Sequence, residues 1–319
     1  MKQIDIKDVG GFKYGHCTNE KEGTGTTVIL HEEGAVGGVS VQGRAPGTKE
    51  TDLLRSENTV QTVHAVTLSG GSAFGLDAAG GVMRSLAQRG IGVEVMGHRV
   101  PIVPAAILFD LFPSSKAVYP DAGYGYNAAE RAFAEAPFLS GNYGAGTGAS
   151  VGKINGFSSA MKGGIGVYAV ESQGVKVGAC IAVNAFGDII DPNTNQLIAG
   201  AYDETAGFLD SEKLLREATL SPGIQENNTT IGCITTNVRL HKSEANQLAA
   251  SAHDGLARSI RQVHTQVDGD ALFVMSEEEV TASLLSLTSL AVYAVEQAVI
   301  RAVKDAHTAY GLTAYPDIE

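Results

Sequence analysis

Two runs rich in β-branched residues, 164–170 and 175–183, are separated only by Glu171-Ser172-Gln173-Gly174. A four-residue link containing glycine predicts a turn that pairs the two runs as an antiparallel hairpin. Further segments of strand length and composition recur at residues 26–30, 36–41, 62–68, 229–236 and 271–275. Helical patterns lie among and after them. Residues 72–88 put Leu76, Ala79, Met83 and Leu86 on one stripe, and residues 242–261 space Leu248, Ala252, Leu256 and Ile260 four apart. A final helix is expected over residues 281–307. Its first half is apolar or small on nearly every face, with Glu296, Arg301 and Lys304 only later, which predicts cover on several sides. Hairpins combined with buried helices favour a layered α/β or α+β domain over a sandwich of sheets alone. The polar segment 203–228, with Ser221-Pro222-Gly223 near its end, reads as a surface loop with a short helix at 211–218, or as a linker.

Composition narrows the function classes. The 319 residues suit one large domain or two small ones, and 44% hydrophobic residues with only 9 prolines exclude a mostly disordered chain. With 23 basic against 35 acidic residues, a net charge of −12 offers no sequence-wide attraction to nucleic acid or anionic lipid, and neither is expected as a partner. Residues 1–16 lack the apolar core of a secretory signal, and residues 280–295 are too short to span a bilayer. Cys17, Cys180 and Cys233 are odd in number and unpaired in spacing, which predicts reduced core residues in a cytoplasmic protein.

Several short motifs lack their structural context. Gly148-Ala149-Ser150-Val151-Gly152 fits the G-x-S-x-G turn of hydrolases, but a glycine-rich stretch precedes it instead of a strand. Residues 150–153 and 159–162 match S-x-x-K without the partner motifs of those enzymes. Gly144 to Ala149 resembles a dinucleotide fingerprint with no preceding strand, and at Gly70-Gly71-Ser72 a serine replaces the middle glycine. Both glycine-rich stretches read as tight turns, or as backbone linings of a substrate pocket around Gly70, Gly71, Ser72 and Gly146. His264, Asp268 and Asp270 are near enough in sequence to ligate a metal, a spacing that is common by chance.

The most informative stretch runs from Glu226 to Asn237, where a polar loop ends at Asn228 and a β-branched strand begins at Thr229. Cutting the Asn228–Thr229 peptide would give Thr229 a free α-amine, with a reference pKa of about 7.7–8.0. That amine can take the proton of the same residue's hydroxyl, so one residue supplies both nucleophile and base. The cut needs similar chemistry: the hydroxyl attacks the preceding carbonyl, the acyl group moves from nitrogen to oxygen, and water hydrolyses the ester. On spacing alone, an Asn-Thr pair opening a strand is also an ordinary loop end.

Longer matches resolve that ambiguity. Residues 6–11, 23–25, 45–52, 68–76, 100–106, 144–148, 162–166 and 228–237, in this order, resemble the P1 family of peptidases. This family includes L-aminopeptidase/D-esterase enzymes, β-peptidyl aminopeptidases and the nylon-oligomer endo-hydrolase. The resemblance implies an α+β fold, a single four-layer αββα sandwich over residues 1–319 similar to N-terminal nucleophile hydrolases. It also implies self-cleavage into an α subunit, 1–228, and a β subunit, 229–319, that stay together. The expected enzyme hydrolyses amide or peptide bonds of small substrates through an acyl-enzyme on Thr229, requires no cofactor and assembles as a homo-oligomer.

The resemblance also assigns roles. Asp268 and Asp270 match a catalytic aspartate pair of the nylon-oligomer hydrolase, and residues two apart in an extended segment share a face. A solvent-facing turn is the other reading of Asp268-Gly269-Asp270. Lys162 and Tyr119 align with active-site residues of that enzyme, and Asn184 with the asparagine that stabilises the oxyanion. Two rivals stay open: an acyltransferase of the ornithine acetyltransferase type, and an uncleaved small-molecule binding protein using the glycine-rich loops.

Overall fold

The computed structural model describes residues 1–111, 118–217 and 228–318. The predicted hairpin forms from Gly164–Ser172 and Val175–Asn184, with Ser172 directly opposite Val175. Its turn therefore has two residues, not four. Gln173 (φ 52°) and Gly174 (φ 82°) are both left-handed, the conformation that matches a two-residue turn to the twist of its strands. The runs expected at 26–30 and 36–41 are one strand, Thr24–Val41, whose register shifts between Leu30 and Ala35 around Gly34. A bulge bends a strand without ending it.

Among the described residues, ten strands make one sheet. Its order is Lys2–Ile4, Gly164–Ser172, Val175–Asn184, Thr229–Val238, Ala271–Val280, Thr24–Val41, Thr62–Ser69, Ala105–Ile107 and Thr48–Lys49, with Phe12–Asn19 also paired to Thr24–Val41. Thr229–Val238 and Ala271–Val280 run parallel, while the strands flanking that pair run antiparallel to it. The long strand serves both halves of the sheet: its first part pairs with Phe12–Asn19 and Thr62–Ser69, its last with Ala271–Val280.

Alternation along each strand then divides the apolar residues among three cores. Cys180, Ala182, Ile231, Cys233 and Phe273 meet Ile29, Val66 and Leu68 between the two sheet halves. Their alternate neighbours Ile181, Val183, Ile234, Leu272 and Val274 pack beneath the helices Lys242–Ser259 and Leu284–Lys304. On the far side, Val28, Leu30 and Ala65 pack beneath Ala78–Gln88 and Ala122–Phe133. The layers are therefore α, β, β, α, as the resemblance implied. The cysteines are all free, with Cys180 and Cys233 buried and Cys17 half-buried.

Helix positions differ from expectation in three places. Residues 72–77 form a 3₁₀ turn ahead of the α-helix, which begins at Ala78. The final helix is Leu284–Lys304; it is long and apolar enough to cross a membrane, yet it buries Leu287, Ala291, Ala294, Val295, Ala298 and Ala302 in the core. Ala122–Phe133 was not legible as a helix at all. The short helix near 211 is Ser211–Arg216, and the remainder of the polar segment, 218–227, lies outside the described residues.

Close packing of the final helix depends on Gly166, where a Cβ would sit 1.7 Å from the Ala298 carbonyl oxygen. Gly80, inside the Ala78–Gln88 helix, has no such neighbour nearer than 3.9 Å. Gly166→Ala is therefore expected to lose about 1–3 kcal/mol through overpacking. Gly80→Ala is expected to gain about 0.5–1 kcal/mol through helix propensity. Urea denaturation of both variants checks the contrast.

Candidate active site

Thr229 opens its strand directly opposite Asn184, the last residue of the neighbouring strand. Residues paired across a ladder share a face, and here it is the face of Ala182 and Ile231, turned between the two sheet halves. Thr229 is only 5% exposed. The carbonyl oxygen of Asn228 accepts two hydrogen bonds, from the Thr229 hydroxyl and from the Gly269 amide at 2.9 Å. Gly269 reaches that carbonyl because it lacks a side chain: a Cβ would lie 2.6 Å from the Ala45 carbonyl and 2.9 Å from Thr229 Oγ1. The Ala45-Pro46-Gly47 stretch thus backs the site, with the Ala45 amide on the Asp268 carbonyl at 2.9 Å.

Asp268 and Asp270 are 2% and 1% exposed, so Asp268-Gly269-Asp270 is not a solvent-facing turn. The two carboxylates take different partners. Asp270 accepts from the Thr230 amide at 2.7 Å through Oδ1, and from the amide and Nδ1 of His264 at 2.9 and 2.7 Å through Oδ2. Asp268 accepts from the Phe186 amide, and from the amide and hydroxyl of Thr265. Burial, and then the charge of Asp270, push the Asp268 carboxyl up to about 6. Among the described residues no group of three or more His, Cys, Asp or Glu is arranged to hold a metal ion, His264 with these aspartates included.

Asn184 is fully buried, with its side-chain Oδ1 accepting from the Ser150 amide at 3.0 Å, the Ser150 hydroxyl at 3.3 Å and Lys153 Nζ at 3.0 Å. Its Nδ2 donates to the Phe109 carbonyl at 3.1 Å. Ser150 is therefore no hydrolase elbow: it lies in a two-residue strand paired with Met161–Lys162. Lys162 is buried too, and its ammonium donates to the carbonyls of Gly146, Ala149 and Gly163 at 3.1, 2.9 and 2.9 Å. Burial brings both lysines down to about 7, against the pull of Asp268 on Lys153 and of Asp110 on Lys162.

Asp110 links this centre to the first glycine-rich turn. Its Oδ1 accepts from the Gly71 amide and its Oδ2 from the Thr24 hydroxyl, both at 2.7 Å. A Cβ on Gly70 would lie 1.9 Å from the same carboxylate. Burial raises Asp110 to about 6, outweighing those donors and Lys162. Ser72, at φ 53°, gives its amide to the Leu108 carbonyl. Tyr119 is 36% exposed and stacks on Phe74 with ring centroids 4.3 Å apart, above Gly71. Thr229, Asn184, Asp268, Asp270 and Lys162 thus belong to one buried centre, while Tyr119 connects to it through the Gly71 turn.

Four contributors were not singled out for the site from the sequence: Asp110, Lys153, Thr265 and the Gly269 amide. Lys153 did appear in an S-x-x-K match, and that match was its sole signal. The arrangement supplies a hydroxyl beside a carbonyl, amide donors for a developing oxyanion, and buried charges in a water-poor setting, the components of acyl transfer.

Known proteins share this architecture. A solved L-aminopeptidase D-Ala-esterase/amidase from Ochrobactrum anthropi, described as a variant of the N-terminal nucleophile hydrolase fold, superposes with a TM-score of 0.66 at 17% identity. The match covers 98% of this chain and 92% of that one. An uncharacterized aminopeptidase of Mycobacterium leprae is 38% identical over 295 residues, 87% of this chain and 80% of its own. A 6-aminohexanoate-oligomer endohydrolase of a Kocuria species is 32% identical over 278 residues, 86% of this chain and 75% of its own. The sequence pattern of peptidase family S58 matches residues 5–315, and the chain belongs to that family of amide- and peptide-bond hydrolases.

Proposed function

We propose that this hydrolase cuts its own Asn228–Thr229 peptide, and that the freed Thr229 then cleaves the amide bonds of small peptides or amino-acid oligomers through an acyl-enzyme. The observation that carries the proposal is the environment of the Asn228 carbonyl. It is held by the Gly269 amide at 2.9 Å and bonded by the hydroxyl of the very next residue. Thr229 Oγ1 attacks that carbonyl carbon, the Gly269 N–H stabilises the oxyanion, and the acyl group passes from the Thr229 nitrogen to its oxygen. Water then hydrolyses the ester, leaving Asn228 as a carboxylate and Thr229 with a free amine.

In turnover, the amine removes the Thr229 hydroxyl proton as the hydroxyl attacks the substrate carbonyl, and it returns a proton to the leaving amine. Asn184, across the ladder, is the side-chain donor to the oxyanion. Asp270 holds the Thr230 amide and so fixes the start of the strand, and the Asp268 carboxylate sits beside it as a buried counter-charge to the new ammonium. Lys162 ties together the 146–149 turn and Gly163. The aminopeptidase and the oligomer endohydrolase among the relatives support short amide substrates.

Two outcomes follow. Thr229→Ala should remain one uncut chain with turnover reduced by at least about 10⁴-fold, whereas Thr229→Ser keeps a hydroxyl nucleophile and should be cut and active. Denaturing electrophoresis with an amide-hydrolysis assay reads both properties, and a cut Thr229→Ala chain contradicts the assignment. The second outcome concerns pH. Lys162 falls from its ordinary 10.5 to about 7 on folding, so between those values the unfolded chain binds more protons. Its contribution to stability should then rise with pH across that window and be flat below it. The stability difference between the parent and Lys162→Met, measured by urea denaturation from pH 6 to about pH 10, should grow in the parent's favour; a difference that shrinks contradicts the assignment.

A further inference from the structure

We infer that Lys153 is a positioning residue for acyl transfer: with Ser150 it locks the carboxamide of Asn184 in the one orientation that presents its NH₂ end as a donor. The inference rests on the reading of Asn184 as the oxyanion donor. A carboxamide is nearly symmetric in shape, and flipping it exchanges a donor for an acceptor. An oxyanion site built on an asparagine therefore needs something that forbids the flip.

At Asn184 that something is visible. The Ser150 amide can only donate, and so can Lys153 Nζ as an ammonium; each is 3.0 Å from Oδ1. Turning the carboxamide over would set an NH₂ group against two obligate donors in a fully buried place, and each bond lost there costs the desolvation of its donor. The Phe109 carbonyl, which accepts from Nδ2 at 3.1 Å, would meanwhile face an oxygen. Lys153 holds the main chain of the same residue as well, with Nζ 2.9 Å from the Asn184 carbonyl. Its own backbone amide is pinned to the Phe186 carbonyl at 2.9 Å. An ammonium on Oδ1 also draws charge through the amide, which strengthens the N–H groups at its other end.

The other buried lysine provides a contrast. Lys162 gives its bonds to three backbone carbonyls of Gly146, Ala149 and Gly163, and so secures loops. Lys153 gives both of its bonds to one residue, and that residue is the partner of Thr229 across the ladder. Burying a lysine is costly, which is reflected in its fall to about 7. A hydrocarbon side chain would fill the volume without that cost, so a purely space-filling role does not account for the ammonium.

A double-mutant cycle tests the inference. Lys153→Met, Asn184→Ala and the double variant are purified in cleaved form and assayed on an aminoacyl 4-nitroanilide that the parent hydrolyses. Asn184→Ala should lower kcat on the order of 10²–10³-fold. Lys153→Met should lower kcat by about tenfold or more with KM nearly unchanged, the loss of a charged hydrogen bond. In the Asn184→Ala background, the Lys153 change should cost less than about threefold, because its effect passes through a side chain no longer there. Full kcat in Lys153→Met, or the same fold-loss in both backgrounds, overturns the inference while the role of Asn184 stands. Full kcat in Asn184→Ala overturns both. Should Lys153→Met fail to fold, Lys153→Leu, which also removes the ammonium, replaces it in the cycle: a kcat loss that disappears in the Asn184→Ala background supports the lock, and an unchanged kcat overturns it.

Discussion

Successive residues of a strand face opposite ways, so the register between Val175–Asn184 and Thr229–Val238 decides which side chains meet at their ends. With Asn184 opposite Thr229, both turn into the gap between the sheet halves, and Thr230 turns away with its amide on Asp270. A slip of one residue would exchange the two threonines and send Ile231 and Cys233 out of the inner core. Burial of those apolar residues therefore holds the chemical register. The parallel strand Ala271–Val280 completes it, since the three residues preceding it bring Asp268, the Gly269 amide and Asp270 alongside Asn228 to Thr230.

The charges gathered there are few and mostly buried, which makes each of them consequential. Lys153 sits under the influence of Asp268, and Lys162 under that of Asp110. In each pair burial works against the charged forms, raising the carboxyl and lowering the ammonium. Glycine makes room for this density. Gly269 lets an amide reach the Asn228 carbonyl, and Gly70 leaves space for the Asp110 carboxylate.

What the sequence disclosed follows the range of the interactions involved. The hairpin at 173–174, the Lys242–Ser259 helix and the strand beginning at Thr229 were legible, because periodicity and turn residues are local signals. The helix Ala122–Phe133 was not, since Gly123, Gly125 and two tyrosines make Ala-Gly-Tyr-Gly-Tyr look like a loop. Gly125 is there for packing: a Cβ would lie 1.8 Å from the Ala78 carbonyl of the helix beside it. Gly34 likewise split one bulged strand into two apparent ones. At the site, Thr229 was already marked by the polar loop that ends at Asn228, while the roles of Asn184, Lys162, Asp268 and Asp270 emerged through family resemblance. Asp110 and Lys153 sit in stretches with no periodic or motif signal beyond a short serine-lysine spacing, and their roles exist only once Gly71 and Asn184 are folded against them.

The central claim is that Thr229 becomes an amino terminus. Amino-terminal sequencing of purified, active wild-type protein, paired with its intact mass, addresses this most directly. The account predicts two chains, the second starting Thr-Thr-Ile-Gly-Cys. An active preparation consisting of one continuous polypeptide, or a second chain starting at any other residue, would contradict it.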